Sequence, residues 1–366
     1  MAITHVLVFL VNLIALLFSV IINPSGAVFL SIDCGFNGSS TYKHKNSILW
    51  SGDDAYINNK HESQALQYMD TEDDWSTSIR IFPTLKKNCY TIPVDKAGQR
   101  ILVRASFYHW GFYDNKTSPT FELQFDGTYW ATVNKPNIAS YEAIYIAKQN
   151  TTTICLARVE DDQIPFISAL EIRSLHFNMY SHINPNYALL LANRIYDGAN
   201  QTLRYPNDAY DRIWEPVTVV HKIILRHLCF DFRNALTTSG TYWGIGLTTR
   251  GLPDDKNVPI YITTYFSEVD KTVKRSVQVW IDSKHYGQPV VPPFGSVAVV
   301  YITNMTASSN TNFSVQAADD SSIPPLINAY EVYSIAGPLA QGTKTKDGTY
   351  VPNSFQTACI MAYVLV

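Results

Sequence analysis

The chain has 366 residues and a mass of 41.2 kDa; 46% of the residues are hydrophobic, 16% are charged, and the formal net charge is −3. A pI of about 6.3 argues against a nucleic-acid-binding protein, which needs a basic face to neutralise phosphates. Aromatic residues make up 13% of the chain, a composition that favours β-strands and excludes intrinsic disorder and a coiled coil.

The first predicted element is an N-terminal signal peptide at residues 1–27. Residues 6–22 are almost unbroken apolar sequence, Pro24 ends the run, and the small residues at 25–27 suit a cleavage site. The alternative is an uncleaved N-terminal anchor, because about 17 apolar residues lie at the lower limit of a bilayer span. A strand-like segment begins directly at Val28, which favours the signal peptide and predicts entry into the secretory pathway, with an extracellular or cell-surface location.

Short alternating strands follow along the body of the chain, separated by Gly, Pro, Asn and Asp. Strands are predicted at residues 29–33, 101–108, 121–125, 130–133, 153–157 and 169–175. Residues 186–195 are predicted to form a helix. Many short strands with frequent turn residues predict an all-β protein of the sandwich type.

Three of these segments recur, in the same order, about 160 residues further along the chain. The paired sequences are ILVRASFY with IYITTYFS, FELQFDG with VQVWIDS, and PFISALEI with PLINAYEV. A repeat in constant order indicates two copies of one β module, joined near residues 178–185. Tandem modules of this kind leave a cleft in which ligands or partners can bind.

Several motifs resemble plant malectin-like ectodomains of receptor-like kinases. The motifs are FLSIDCG at 29–35, NCYTIPV at 88–94, ILVRASFYHWGFYD at 101–114, SPTFELQFDGTYWATV at 118–133, ICLARVEDDQIPFISALEIRSL at 154–175, YPNDAYDRIWEP at 205–216, VPIYITTYFSEV at 258–269 and IPPLINAYEVYS at 323–334. The resemblance implies two tandem malectin-like, jelly-roll-like β-sandwich domains after the signal peptide. It places module 1 at 28–180 and module 2 at 185–336, with an irregular tail at 337–366.

Two segments depart from the family pattern. Residues 217–256, which include Cys229, do not resemble the family and are interpreted as atypical sequence within module 2. The tail contains Cys359, and its apolar end at 358–366 is far shorter than the roughly 20 residues that a membrane span needs. In the family, leucine-rich repeats, a membrane span and a kinase often follow. Their absence from the sequence suggests a receptor truncated before them.

Modification sites support export. Six N-x-[ST] sequons predict a glycosylated surface: Asn37, Asn115, Asn150, Asn200, Asn304 and Asn312. A disulfide is expected among Cys34, Cys89 and Cys155 in an oxidising compartment, and the sequence leaves the pairing open.

No motif for catalysis or for metal and cofactor binding is found. The sequence has no GxSxG elbow, HExxH, P-loop or GxGxxG, and no Cys/His cluster has zinc spacing. Adjacent aspartates are more consistent with solvated turns than with calcium sites. A glycan-active enzyme remains the less favoured alternative, because its paired carboxylates need not be close in sequence. No catalytic residue, metal or cofactor is therefore predicted.

The candidate ligand-binding residues lie in and near one aromatic loop. Aromatic rings stack on the apolar faces of sugars. Malectin, the animal relative, binds a glucose disaccharide through loop aromatics and an aspartate. By resemblance, the candidates here are Tyr108, Trp110, Phe112, Tyr113, Asp126 and Trp130. The sequence thus predicts a non-catalytic extracellular recognition module for cell-wall carbohydrate, a peptide, or a receptor or co-receptor protein. The alternative is a secreted decoy that regulates a full-length kinase.

Overall fold

A computed structural model describes residues 27–36, 41–44, 46–67, 78–108, 119–134, 139–217, 222–226, 234–238 and 244–340. The regular structure of these residues consists of β-strands and one short 3-10 turn at Lys60–Glu62. Apart from its last residue, the predicted signal peptide lies outside the described residues. The prediction of an all-β fold is confirmed.

The first half of the chain contributes strands β1 to β13. They are β1 (Phe29–Asp33), β2 (Tyr42–Lys43), β3 (Leu49–Gly52), β4 (Gln64–Gln67), β5 (Ser78–Ile81), β6 (Lys87–Pro93), β7 (Arg100–Phe107), β8 (Phe121–Phe125), β9 (Thr128–Val133), β10 (Ala139–Ile146), β11 (Thr151–Arg158), β12 (Phe166–Ile167) and β13 (Ala169–Ser174). The six strands predicted from the sequence correspond to β1, β7, β8, β9, β11 and β13.

The second half contributes strands β14 to β26. They are β14 (Ala188–Tyr196), β15 (Glu215–Pro216), β16 (Lys222–Arg226), β17 (Asn234–Thr238), β18 (Gly244–Leu247), β19 (Val258–Phe266), β20 (Val277–Ile281), β21 (Lys284–Val290), β22 (Ala298–Ile302), β23 (Thr306–Ala307), β24 (Phe313–Ala317), β25 (Leu326–Ile327) and β26 (Ala329–Ala336).

One central sheet runs through both halves. Its main path is β2-β3-β1-β13-β7-β10-β14-β26-β19-β22, with β15 and β23 paired to the side. The order β1-β13-β7-β10 in the first half is repeated as β14-β26-β19-β22 in the second. The halves join where β10 pairs antiparallel with β14, through Ala143 opposite Leu190 and Ile144 opposite Leu189. We call this junction the seam.

The smaller sheets repeat in the same way. The four-stranded sheet β6-β11-β8-β9 of the first half corresponds to β18-β24-β20-β21 of the second, and β4-β5-β12 corresponds to β16-β17-β25. The repeated sequence segments occupy equivalent strands, namely β7 with β19, β8 with β20, and β12–β13 with β25–β26. The duplication seen in the sequence is therefore a duplication of strand order and pairing.

The helix predicted at 186–195 is wrong, because Ala188–Tyr196 forms strand β14. This strand lies between β10 and β26 in the middle of the central sheet. Ala188 and Leu190 contact one apolar cluster, and Leu189 and Leu191 contact another on the opposite face. A strand covered on both faces reads as a continuous apolar run, which sequence periodicity alone does not distinguish from a helix.

The segment 217–256, interpreted from its sequence as atypical within module 2, contributes strands to the second half. Strand β17 pairs with both β16 and β25, and β18 pairs with β24. Ala235 and Leu236 on β17 are buried, as is Ile245 on β18. The described part of this segment therefore supplies the counterparts of β4, β5 and β6.

Each half encloses its own apolar core between the central sheet and the smaller sheets. In the first core, Val103 and Ala105 of β7 pack with Phe121 and Leu123 of β8. In the second core, residues of β19 and β20 pack in the same way, including Ile262. We call the other side of the central sheet, which faces away from both cores, the outer face.

One disulfide ties the first half together. Cys89 on β6 and Cys155 on β11 lie directly opposite each other in the antiparallel ladder and are bonded, with their Cα atoms 4.0 Å apart. Cys34, the third cysteine that the sequence left as a candidate, is a buried free thiol. Cys229 and Cys359 lie outside the described residues.

We expect removal of this disulfide to lower the stability of the first half. The bond closes a loop with a sequence separation of 66 residues, and a cross-link of that size restricts the unfolded chain. Cys89→Ala/Cys155→Ala should therefore reduce the free energy of unfolding by about 2 to 4 kcal/mol. Urea denaturation of the double variant measures the change, with the buried free thiol kept intact in both proteins. A loss below about 0.5 kcal/mol would contradict the expectation.

Candidate functional site

The predicted aromatic loop begins at the end of β7. The backbone N–H of Tyr108 donates to Oγ of Ser168 at 2.8 Å, and the same hydroxyl donates back to the Tyr108 carbonyl at 3.2 Å. The start of the loop is thus held against the residue between β12 and β13. Trp110, Phe112 and Tyr113 lie outside the described residues, so their role in ligand binding stays a prediction.

Asp126 shapes the turn between β8 and β9. Its φ angle is 44°, and its carboxylate accepts the Thr153 N–H at 2.8 Å and the Thr152 and Thr153 hydroxyls at 3.2 Å. Burial raises its pKa, although these hydrogen bonds oppose the shift. Asp282, the counterpart in the second half, has a φ angle of 45° and accepts the N–H of Asn312 at 2.9 Å. Each aspartate therefore stabilises the turn in which it lies.

Trp130 belongs to the first core. Its side chain is 4% exposed, and its ring packs edge-on against Phe125 with the ring centroids 5.8 Å apart. Asp126 and Trp130 are both engaged inside the fold. Of the six predicted binding residues, the structure describes these two and Tyr108.

Four of the six predicted sequons lie in exposed positions of the described chain, at Asn150, Asn200, Asn304 and Asn312. Asn37 and Asn115 lie outside the described residues. The Asn150 side-chain oxygen accepts the Ala97 N–H at 3.0 Å. Glycosylation at these positions stays a prediction.

The largest feature that sequence reasoning missed is a buried ion network on the outer face at the seam. We call it the seam network; it consists of Arg104, Glu142, Glu171, Arg173, Arg194, Arg204, Asp208, Asp211, Arg212 and Glu331. It contains as many arginines as carboxylates, so its formal charges cancel. Buried charges need such pairing, because an unpaired ion in the interior is costly.

The seam network crosses from one half to the other along neighbouring strands. Arg104 on β7 donates to Glu142 on β10 at 2.9 Å, and Arg194 on β14 contacts the same carboxylate. Arg194 also donates through Nε to Glu331 on β26 at 2.7 Å. Two residue pairs join β10 to β14, and this chain of ion pairs adds polar contacts across the seam.

The same network fastens the segment 197–214 onto the outer face. Asp211 lies 2.7 Å from both Arg173 and Arg204, and its backbone carbonyl accepts from Arg104 at 2.7 Å. Nearby, Trp214 is buried and forms an apolar cluster with residues of β14 and β26. The segment therefore covers the sheet instead of projecting from it.

The arginines keep two of these carboxylates, Glu171 and Glu331, ionised. Burial alone would raise the pKa of Glu331, but Arg194 and Arg212 outweigh it and hold the pKa at about 2. Burial is outweighed in the same way at Glu171, where Arg104, Arg204 and Arg173 lower the pKa. A general acid must hold a proton near the working pH, which these groups do not.

A sequence signal for the seam network existed in the repeat. Glu171 and Glu331 occupy the same place in PFISALEI and PLINAYEV, at a position where the surrounding residues are apolar. Both are buried, at 3% and 0% exposure. A repeated acid within a buried strand is a sign of a buried partner, but the sequence does not say which arginine provides it.

A second buried polar cluster lies at the end of β1. Asp33 accepts hydrogen bonds from the hydroxyls of Ser78 and Tyr42, the latter at 2.6 Å, and is 1% exposed. Burial raises its pKa to about 7, and the nearby Asp53 carboxylate adds to the shift. Asp53 itself is bound by Nε of Arg80 at 2.9 Å. Although the pKa of Asp33 suits a general acid, its carboxyl group is enclosed by hydroxyl donors and is closed to solvent.

The second half carries a run of exposed apolar side chains between the end of β21 and β22. We call it the β22 strip; it comprises Val291, Phe294, Val297 and Tyr301, which are 52%, 43%, 40% and 38% exposed. Residues 289–303 contain no Asp, Glu, Lys or Arg. Clustered exposed apolar side chains mark surfaces that bind other molecules.

Metal sites and membrane-spanning helices are absent from the described residues. In that part of the chain, no group of three His, Cys, Asp or Glu side chains is placed to hold a metal ion. The described residues also contain no helix with the length and apolar character of a membrane span.

Comparison with known proteins gives a family match over most of the chain. The model of the malectin-like domain matches residues 32–335. The uncharacterized protein At1g24485 of Arabidopsis thaliana is 32% identical over 356 residues, which cover 91% of this chain and 70% of the relative. The probable LRR receptor-like serine/threonine-protein kinase At1g05700, also of Arabidopsis thaliana, is 28% identical; the match covers 88% of this chain and 40% of that kinase. The chain thus spans less than half of the receptor kinase.

The fold also matches solved structures. The structure described as plant peptide RALF23 in complex with FER and LLG2 aligns with a TM-score of 0.68, covering 86% of this chain and 96% of the matched chain. Sequence identity in this alignment is 13%, so the likeness is one of fold.

Proposed function

Because the chain belongs to the malectin-like family, we propose that it is a non-catalytic extracellular recognition module that binds a peptide or protein partner. The observation that carries the proposal is how polar and apolar groups are distributed between the interior and the surface of the described residues. The carboxyl groups with a raised pKa are committed to the fold, whereas the β22 strip exposes apolar side chains. Such a surface suits binding better than chemistry.

Three carboxyl groups of the described chain have a raised pKa: Asp33, Glu122 and Asp126. Asp33 is enclosed by hydroxyl donors and Asp126 by the turn that it forms. Partial burial raises the pKa of Glu122. Its carboxylate accepts a hydrogen bond from the Gln124 side chain at 3.2 Å, and Lys87 is its charged neighbour. A glycosidase needs two carboxyl groups facing one sugar, whereas each of these three groups is engaged by neighbouring side chains or by its own turn, which favours a binding function.

The matched structure contains the peptide RALF23 in complex with FER and LLG2, and we take it as support for a peptide or protein ligand. We propose modules at 28–180 and 185–336 as the two recognition units. Secretion through the signal peptide at 1–27 and glycosylation at the sequons place them outside the cell in this proposal.

The test is calorimetric titration of the secreted full chain. The ligands are RALF23 peptide, RALF23 with LLG2, and cell-wall oligosaccharides. We expect saturable binding of the peptide, alone or with LLG2, and no release of reducing sugar from labelled cell-wall polymers. A Trp110→Ala/Tyr113→Ala variant, which truncates two predicted loop aromatics, should bind the peptide with unchanged affinity.

Three results would contradict parts of this proposal. Oligosaccharide binding that disappears in the Trp110→Ala/Tyr113→Ala variant would move the ligand class to carbohydrate and contradict the peptide proposal. Release of reducing sugar would contradict the absence of catalysis. If none of the probes binds, the recognition function fails for this ligand set.

A further inference from the structure

We propose that the outer edge of β22 is a docking site for an extended, apolar polypeptide segment of a partner protein, which adds to the central sheet as a further antiparallel strand. The proposal rests on the proposed function, because it names the place where a peptide or protein partner binds. Main-chain hydrogen bonds supply much of the affinity in this mode of recognition, and alternate side chains supply specificity.

Among the described strands, β22 has a neighbour on one side only. Its five residues pair with β19, and within the described residues no strand pairs with its other edge. The carbonyl of Tyr265 on β19 accepts the N–H of Asn328, on the side of β26. Because backbone direction alternates along a strand, Thr264 faces β22 and pairs with Val300. The N–H and carbonyl groups of Val299 and Tyr301 therefore point away from the sheet.

Strand β22 lacks the charges and prolines that usually protect an edge, although the Tyr301 ring packs against that of His182, with the ring centroids 4.1 Å apart. Natural edge strands are blunted by lysines, prolines within the strand, or covering segments. Strand β22 reads AVVYI and contains neither charge nor proline. Four of the nine large hydrophobic residues that are most exposed in the described chain lie in the β22 strip. Tyr301 lies on β22 itself, and Val291, Phe294 and Val297 lie in the segment that leads into this strand.

The repeated fold shows what kind of segment fits. Strand β10 is the counterpart of β22 in the first half, and its outer edge is occupied by β14, an antiparallel strand with the sequence ALLLANRIY. An apolar strand added to this edge is therefore an arrangement that the fold already contains. A partner segment at β22 would repeat it.

The register of the added strand differs from that at the seam. In the aligned halves, Ala143 and Ile144, which pair with β14, correspond to Ile302 and Thr303. The N–H of Thr303 donates to the Tyr286 hydroxyl at 3.4 Å, which occupies that end of the edge. The partner strand is therefore placed opposite Val299 and Tyr301.

The probe is a synthetic peptide with the sequence of residues 187–197, which spans β14. It is titrated into the full, glycosylated chain, because the Asn304 sequon lies close to the end of β22. We expect saturable binding, and we expect amide hydrogen exchange to slow at Val299 and Tyr301. Val299→Pro removes one outward N–H without touching the bonds to β19, and it should weaken binding at least about tenfold. Val159→Pro, at an exposed position outside the regular strands, is the matched control and should bind as the wild type does.

A second measurement leaves the protein unchanged. The same peptide methylated on alternate backbone nitrogens cannot complete a ladder, and it should fail to bind wild-type protein. Binding of the methylated peptide, or equal binding by Val299→Pro and wild type, would overturn the proposal. A concentration-dependent dimer that is lost in Val299→Pro would assign the edge to a second copy of this chain and would also overturn it.

The two proposals fail separately. In one outcome, RALF23, alone or with LLG2, binds wild type and Val299→Pro equally, and the β14 peptide does not bind. The proposed recognition function is then supported, and the docking site at β22 is contradicted. If the β14 peptide binds at β22 but RALF23 and LLG2 do not, the edge is a docking site and the ligand set of the proposed function is wrong.

Discussion

Replacing Arg194 by methionine is expected to lower the free energy of unfolding by about 3 to 5 kcal/mol, the usual cost of removing one partner from a buried ion pair. Arg194 is 2% exposed and contacts Glu142, Glu331 and the Tyr333 hydroxyl. Methionine fills similar volume but leaves both carboxylates short of a cation. Denaturation in urea, followed by tryptophan fluorescence, measures the loss.

The matched control is Lys60→Met, which removes a cation from a pair on the surface. The side chains of Lys60 and Asp54 are 49% and 46% exposed, and such pairs contribute about 1 kcal/mol or less. We therefore expect little change in this variant. If Arg194→Met costs no more than Lys60→Met, the seam network does not stabilise the junction in the way described here.

Replacing Asp33 by asparagine is expected to flatten the dependence of stability on pH. Burial raises the pKa of Asp33 from 3.8 to about 7, so the folded protein holds this proton more tightly than the unfolded chain. The resulting stabilisation is complete below pH 3.8 and is lost as the pH rises through about 7. The full change across this window is roughly 4 kcal/mol, from about three pKa units. Asparagine stays neutral throughout and removes that slope.

Urea titrations between pH 4 and pH 8 compare wild type with Asp33→Asn. We expect the variant to gain stability relative to wild type as the pH rises. Asp161→Asn, in an exposed turn after β11, is the control and should give a curve parallel to that of the wild type. Parallel curves for Asp33→Asn and wild type would contradict a buried, protonated Asp33.

The strands were predictable where one face of the sheet is covered and the other is polar enough to show alternation. Strand β8 is such a case, as FELQF alternates and ends in an Asp-Gly turn. Strand β14 was not predictable in this way, because both of its faces are covered and its sequence begins with a continuous apolar run. The repeat was visible because the same buried positions demand similar side chains in both halves.

The contacts that hold the halves together were beyond sequence reasoning. Glu142 and Arg194 are 52 residues apart, and nothing local to either residue indicates the other. The pairing of the disulfide could not be predicted for the same reason. Three cysteines allow more than one pair, and only the strand register places Cys89 opposite Cys155. The β22 strip was readable as a run without charge, but its position at the edge of a sheet depends on the complete strand order.

The seam has a mechanical consequence. Because hydrogen bonds and ion pairs cross between β10 and β14, the two halves, as described, are not free to rotate about each other. A partner that binds one half therefore finds the other half in a set orientation. A force applied to either half is transmitted through the seam. We therefore expect the two halves to keep one relative orientation when a partner binds to either of them.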